Sequence, residues 1–381
     1  MKRILKNKFF AFAVLAGLII TLIMSFAQIP SAKSTMKNIP IGIVNEDGGQ
    51  VGNQLTKKVL DNKTKAAHSD QPMFKWHVYQ NASDAKKALN FNGDYATVII
   101  PKNLSTDMAK LPQTGQPIKV KLIINQGRNN TLSTSITQIL SGMFTKIVSG
   151  IGANMLNKMD SMHVNIPAGK ATVLANPFEI NTETVHKTTN LENATSVFFQ
   201  PIWIASLVVT LLFYFASKSF KPRHKKDVLN FKLTVIGLVA VISAMIGFTA
   251  TFYANTILGY DFSSPTNLSI FLSIASFAFI MLFSGFISWL GIPGLAIFGI
   301  LLFFGLPLLI VAPEMLPTFY QDWVLPWLPM RFLYEGVREM LYYNDQIFNQ
   351  NTISLLVTAL IGTVLFFFET FNKRHKNTFI K

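Results

Sequence analysis

The chain has 381 residues, 50% of them hydrophobic and only 14% charged, and its mean hydropathy is +0.35. Such a composition is too apolar for an ordinary soluble domain and points to the membrane class. The net charge is +15 and there is no cysteine, which excludes disulfide scaffolds, CxxC redox pairs and thiolate metal sites and leaves the placement of the basic residues as the informative feature.

In chain order, residues 1–8 form a basic N-terminus with Lys2, Arg3, Lys6 and Lys8. The uncharged run 9–29 that follows is long enough, at about 1.5 Å per residue, to cross a hydrocarbon core of about 30 Å, and is read as the first span. Ser25-Phe26-Ala27 resembles a small-x-small cleavage site, so a secretory signal peptide is the rival reading.

Residues 30–195 change character, with charges throughout and no run long enough to span. Short β-rich runs at Ile41–Val44, Phe74–Tyr79, Tyr95–Ile100 and Ile118–Asn125 predict strands, and 51–67, 83–90 and 103–111 predict helices, with Asn103 as an N-cap. The apolar spacing of Leu132, Ile136, Leu140, Met143, Phe144 and Ile147 predicts a long amphipathic helix over 130–159, whose apolar face packs on its own sheet, on a second copy, or along a substrate path. The polar stretch 162–192 is expected to be a connector. Alternating strands and helices make this segment a compact α/β domain.

A second span, 196–217, leads into a segment 218–232 rich in Lys and Arg, with Lys218, Lys221, Arg223, Lys225, Lys226 and Lys232 against the single acid Asp227. A third span follows at 233–253. The uncharged run Phe262–Pro313 is too long for one helix, and Gly291-Ile292-Pro293-Gly294 divides it into spans 267–290 and 295–312. Segment 313–350 is too long for a turn and too mixed to span. It holds Trp323 and Trp327, then a stretch whose Phe332, Leu333, Val337, Met340 and Leu341 share a face, with Arg331, Glu335, Arg338 and Glu339 away from much of it, so it reads as an interfacial or re-entrant segment. The last span is 351–370, and the tail 371–381 carries Lys373, Arg374, Lys376 and Lys381.

The positive-inside rule puts the three basic segments in the cytoplasm, both termini included, and residues 30–195 and 313–350 on the far side. The expected fold is therefore a membrane all-α bundle of six transmembrane helices with an inserted extracellular α/β domain, multi-pass in a bacterial cell membrane. Basic residues that flank spans in this way serve topology, and a nucleic-acid partner is not expected.

No Walker A, HExxH or GxSxG motif occurs, and the six histidines are scattered, so no catalytic residue, cofactor or metal is assigned and any ATP hydrolysis belongs to another chain. The acidic turn Asn45-Glu46-Asp47-Gly48-Gly49 reads as a solvated turn after a strand rather than a cation site. Between residues 233 and 313 the only acid or base is Asp261. A proton- or ion-coupled transporter keeps a titratable group at membrane depth, so the sequence favours a pore driven from elsewhere, or a scaffold.

The order of these features resembles the ABC-2 type permeases, and within them the YhgE/Pip (phage infection protein) group of Gram-positive bacteria. The residues that carry the likeness are Ile43-Val44-Asn45-Glu46-Asp47, Tyr95-Ala96-Thr97-Val98-Ile99-Ile100-Pro101, and Leu328-Pro329-Met330 leading to Gly336-Val337-Arg338-Glu339. The resemblance implies export of amphiphilic or polymeric cargo, a homodimer or a heterodimer with a related permease, and a separate nucleotide-binding ATPase. The contact loop it implies matches Lys218, Lys221, Arg223, Lys225 and Lys226, charges that topology alone would also produce. A second candidate region is the interfacial segment with Trp323, Trp327, Arg331 and Arg338. The alternative function is a non-transporting cell-surface receptor or secretion-machinery scaffold.

Overall fold

The structure is a computed structural model that describes residues 8–62, 64–67, 70–91, 93–165, 167–220, 224–344 and 346–377. The chain divides into two compact units. Residues 35–189 form a sheet unit, and residues 1–34 together with 190–381 form a helical unit.

The helical unit begins with α1 (Lys8–Ala27), continued by one further turn at Ile29–Ala32. The sheet unit runs β1 (Ile39–Asn45), α2 (Gln50–Asp61), β2 (Phe74–Tyr79), α3 (Ala82–Asn90), β3 (Ala96–Ile100), α4 (Leu104–Thr114), β4 (Ile118–Asn125), α5 (Asn130–Ser161), α6 (Ala168–Ala175) and β5 (Phe178–Val185). Its strands lie in the order β2-β1-β3-β4-β5. β2, β1 and β3 are mutually parallel, β4 runs antiparallel to β3, and β5 runs parallel to β4. Every residue of β3 is buried, as is all of β1 except Asn45, as expected of central strands covered on both faces. Val44, Ile99 and Ile123 share one face and pack under Ala85 and Leu89 of α3.

Two sequence expectations change here. The polar stretch 162–192 is not a bare connector: it supplies α6 and the edge strand β5. β5 has half its residues exposed, so it lacks the apolar run that marks a buried strand, and pairing with β4 is what defines it. Asn103 makes no side-chain cap; the α4 N-terminus is served from elsewhere, as described below.

The helical unit continues with α7 (Ala194–Lys218), α8 (Lys225–Thr256), α9 (Pro265–Leu290), α10 (Ile292–Ile310), α11 (Pro329–Tyr342) and α12 (Gln350–Asn377). The break at 291 is as expected. Gly291 sits at φ +68°, which a glycine adopts without strain, and Pro293 falls in the first turn of α10, where its missing N–H costs nothing. For that reason α10 starts at Ile292 rather than at 295. The third span starts earlier than expected, since α8 takes in Lys225–Lys232, and the last helix runs without a break through Asn377, past the expected boundary at 370.

Among the described residues six helices are long and apolar enough to cross a membrane: Asn130–Ser161, Thr189–Lys218, Lys226–Thr256, Pro265–Leu290, Ile292–Ile310 and Gln350–Phe368. Five of the six coincide with expected spans, and the remaining one is an addition. The first of the six is α5, which belongs to the sheet unit, where Leu132, Ile136, Leu140 and Phe144 are buried. α1, the expected first span, is an apolar helix of 20 residues, Lys8–Ala27, of which Gly17–Ala32 with the following turn falls within the stretch compared. α9 is the centre of the helical unit, with 72% of its apolar stretch buried against 22–33% for the other five. It packs on α7, α8, α10 and α12. Trp203 of α7 is the largest buried side chain, surrounded by Phe279 and Phe283 of α9 and Phe298 of α10 at 4.8, 4.9 and 6.3 Å between ring centroids.

Candidate functional site

In an open α/β sheet ligands bind beyond the C-terminal ends of the strands where the strand order reverses, and for the order 2-1-3 that point lies between β1 and β3. The loops there are Asn45–Gly49 and Pro101–Asn103, and both feed helix N-termini, whose free N–H groups favour an anion. The anion is supplied internally by Asp47. Its Oδ1 accepts the Ser105 N–H (2.8 Å), and its Oδ2 accepts the Ser105 hydroxyl (2.6 Å) and the Gly49 and Gly52 N–H groups (3.1 Å each). One carboxylate therefore caps both α2 and α4. A Cβ at Gly49 would stand 2.3 Å from Ser105 Oγ, and one at Gly52 would stand 2.7 Å from Asp47 Cβ, so both positions need glycine for the loop to close on the carboxylate. Burial alone would raise the Asp47 pKa, but the bonds from Ser105, Gly52 and Gly49 outweigh it and hold the carboxyl below its usual range. The turn is partly exposed, as the sequence reading has it, and its carboxylate is committed to the two helix N-termini.

A second polar cluster lies on the face of the sheet beneath α3. Asp94, fully buried, accepts from the Tyr79 hydroxyl at 2.7 Å and pairs with His77 Nδ1 at 2.8 Å. Burial, and then the Asp94 carboxylate, push the Tyr79 phenol well above its usual pKa. Gly42 makes room: a Cβ there would stand 2.7 Å from Thr97 Oγ1 and 3.0 Å from Asp94 Oδ2. Next to it Asn125, also fully buried, donates to Leu89 O at 2.9 Å and accepts from His186 Nδ1 at 3.0 Å. These bonds satisfy groups that would otherwise cost free energy on burial. No group of three or more His, Asp or Glu residues able to hold a metal occurs among the described residues.

In the helical unit, α11 is docked on four helices. Gly336 lies against Phe271 of α9, where a Cβ would stand 2.2 Å from the ring, and Met330 fills the space over Gly305 of α10. The Tyr342 hydroxyl donates to Leu191 O ahead of α7, and Asn351 of α12 donates to Glu339 at 2.7 Å. Arg338 is buried and paired with Glu335, which Arg331 Nε also approaches at 4.0 Å. Arg338 and Glu335 therefore lie on the docked side of the helix, not away from it as the sequence pattern suggests, because an ion pair can be buried once its charges are matched. Trp323 and Trp327, expected in the same segment, are 73% and 59% exposed.

A family model described as "Protein of unknown function (DUF3533)" matches residues 12–366, most of both units. The chain belongs to the DUF3533 family. No curated protein and no solved structure matches it.

The DUF3533 match also contains the basic segment between α7 and α8. Lys218 ends α7 with its ammonium over the Tyr214 ring at 4.6 Å, and Lys226 is exposed in the first turn of α8. Lys221 and Arg223 lie outside the described residues. Lys225 opens α8. Phe220 and Phe231 stack across the segment at 4.3 Å. Lys232 was grouped with these basic residues by sequence, yet it is buried: its ammonium donates to Phe366 O of α12 and lies 4.8 Å from the Phe366 ring. It shares an i, i+3, i+7 face with Val235 and Val239, but that face is buried only because Ile280, Met281 and Phe366 of other helices pack on it. Trp289, at the end of α9, donates to the neighbouring Leu365 O at 2.7 Å. Two side-chain donors thus grip consecutive carbonyls of α12. Asp94, His77 and Tyr79 had no sequence signal, since they are brought together only by the pairing of β1 with both β2 and β3.

Proposed function

We propose that this chain is the membrane-spanning permease subunit of an ABC-2 type exporter, moving an amphiphilic or polymeric cargo out of a bacterial cell with energy from a separate ATPase chain. The reading places both termini in the cytoplasm and the sheet unit outside, with a second permease copy or a related chain as partner. The observation that carries it is the make-up of α9. This most buried helix of the apolar set has no acid, base or histidine anywhere between Pro265 and Leu290, so it offers no group through which a proton or cation gradient could drive transport, and the buried Arg338 is matched to Glu335. Energy must then enter at an end of the bundle, and the stretch of Lys and Arg between α7 and α8 is a surface that a partner ATPase could hold.

The second reading is a receptor or secretion scaffold, favoured by the self-contained polar networks of the sheet unit. Co-purification separates the two. The full chain is expressed with and without the ATPase encoded nearest to it, and binding together with stimulated ATP hydrolysis supports export. Failure of any such ATPase to bind favours the scaffold. Topology is tested separately, and the natural absence of cysteine makes single-cysteine labelling unambiguous. A cysteine placed in the sheet unit should react with an impermeant maleimide in intact cells, and one at Lys226 should not.

A further inference from the structure

α10 has 19 residues, so at about 1.5 Å per residue it is just long enough to cross a hydrocarbon core of about 30 Å. The chain that leaves it after Ile310 must therefore emerge at the boundary between acyl chains and headgroups. Over the next turns Phe319, Trp323 and Trp327 recur every four residues, through a π-helical turn at Tyr320–Val324 and a 3-10 turn at Leu325–Trp327, and are 63%, 73% and 59% exposed. Phe348, just ahead of α12, is 74% exposed. Of the charged groups nearby, one pair is largely buried and one carboxylate stays exposed. Arg338 and Glu335 are turned into the bundle and matched to each other, and Asp322 is exposed next to Trp323. The indole N–H of Trp327 is spent on Trp323 O at 2.5 Å, so its ring can enter an apolar environment without an unsatisfied donor. An aromatic ring with a polar neighbour prefers the headgroup boundary to either bulk phase.

We propose that Phe319, Trp323, Trp327 and Phe348 form a membrane-interface anchor seated in the headgroup–acyl boundary of the lipid bilayer, while α11 stays docked in the bundle and does not re-enter. Lipid as the occupant is supported by α12, which begins just after Phe348 and is apolar and long enough to span, with Ile353, Leu360 and Ile361 also more than half exposed, at 52%, 61% and 51%. The proposal rests on the helical unit crossing a bilayer and is independent of the export reading.

The test uses the full chain reconstituted in phosphatidylcholine vesicles whose acyl chains carry bromine either near the headgroup or deep in the core. Tryptophan emission is compared between the natural chain and the double variant Trp323→Phe, Trp327→Phe, which keeps the exposed apolar surface and leaves Trp76, Trp203 and Trp289 as internal references. The expected result is stronger quenching by shallow than by deep bromine, with most of that preference lost in the double variant. Three results would overturn the anchor: the same quenching profile in both proteins, quenching of these indoles by aqueous iodide but not by brominated lipid, or protection from both quenchers together with a disulfide-linked dimer of Trp327→Cys, which would put a second copy of the chain over the patch.

Discussion

The two units solve the problem of holding together by different means. In the sheet unit, strands β1 and β3 are dry on both faces, and geometry is fixed by a few fully committed polar groups, Asp47 across two helix caps and Asp94 beneath α3. In the helical unit the glue is close approach. A Cβ on Gly362 of α12 would stand 2.4 Å from the Leu282 N of α9, and one on Gly285 would stand 2.7 Å from Gly362 O. Most Ser and Thr hydroxyls there bond back to carbonyls of their own helix, as Ser206 does to Ile202 O at 2.7 Å, while a few side chains reach a carbonyl of another helix, as Trp203 does to Phe298 O at 3.0 Å. The contrast follows from the solvent. Lipid is as apolar as the helix surfaces, so contact and hydrogen bonding must supply what water expulsion supplies to the sheet.

The comparison can be broken from either side. The largest effect is expected from Asp94→Ala, which strips His77 and Tyr79 of their buried acceptor and should lower the stability of the sheet unit by about 3–5 kcal/mol. Hydrogen exchange of β1 and β3 amides in the full chain would show it, while α9 amides keep their protection. Gly362→Val should do the reverse. It wedges α9 from α12 at a cost of about 3 kcal/mol, read as a lower midpoint of thermal unfolding in detergent with the sheet amides unaffected. Asp47→Ala removes caps from two helices and should cost about 2 kcal/mol, seen as faster exchange in the first turns of α2 and α4 together; loss in one helix alone would refute the shared cap. Trp203→Phe keeps the ring packing but leaves Phe298 O without its indole donor, for a loss of about 1 kcal/mol.

Acid should sharpen the same distinction. His186 is pushed below its ordinary 6.5 by burial. The Glu183 carboxyl, hydrogen-bonded to and paired with Lys121, and that of Asp47 lie below their ordinary 4.5 and 3.8. All three bind a proton more readily in the unfolded chain, so their stabilisation is present above those ordinary values and is lost as pH falls, first through His186 and then through the two carboxylates. Exchange protection of the sheet unit should therefore decline from about pH 6.5 downward, with His186→Gln removing the first part of the decline. The bundle, whose central helix α9 carries nothing to titrate, should show no matching loss in that helix.

Much of this was legible in the chain itself, for local reasons. Gly291 and Pro293 announce the break between α9 and α10, and the β-branched runs of β1, β3 and β4 fix those strands. β5 escaped because its alternation is polar on both sides and only its partner strand defines it. The candidate sites split along the same line. The exposure of Trp323 and Trp327 follows from their type and place. The burial of Arg338 and Lys232 does not, since charge predicts a solvated face until a carboxylate or a helix carbonyl on another element is in place.

By itself the sequence determined the apolar character of the helices, the break points among them and the α/β alternation in between, because each depends on residues within a turn or two of one another. The tertiary structure decided which helix is central, which carboxylate caps both helices beyond β1 and β3 and which cations go inside. Those outcomes depend on groups far apart in the chain, and no local pattern encodes the free energy of bringing them together.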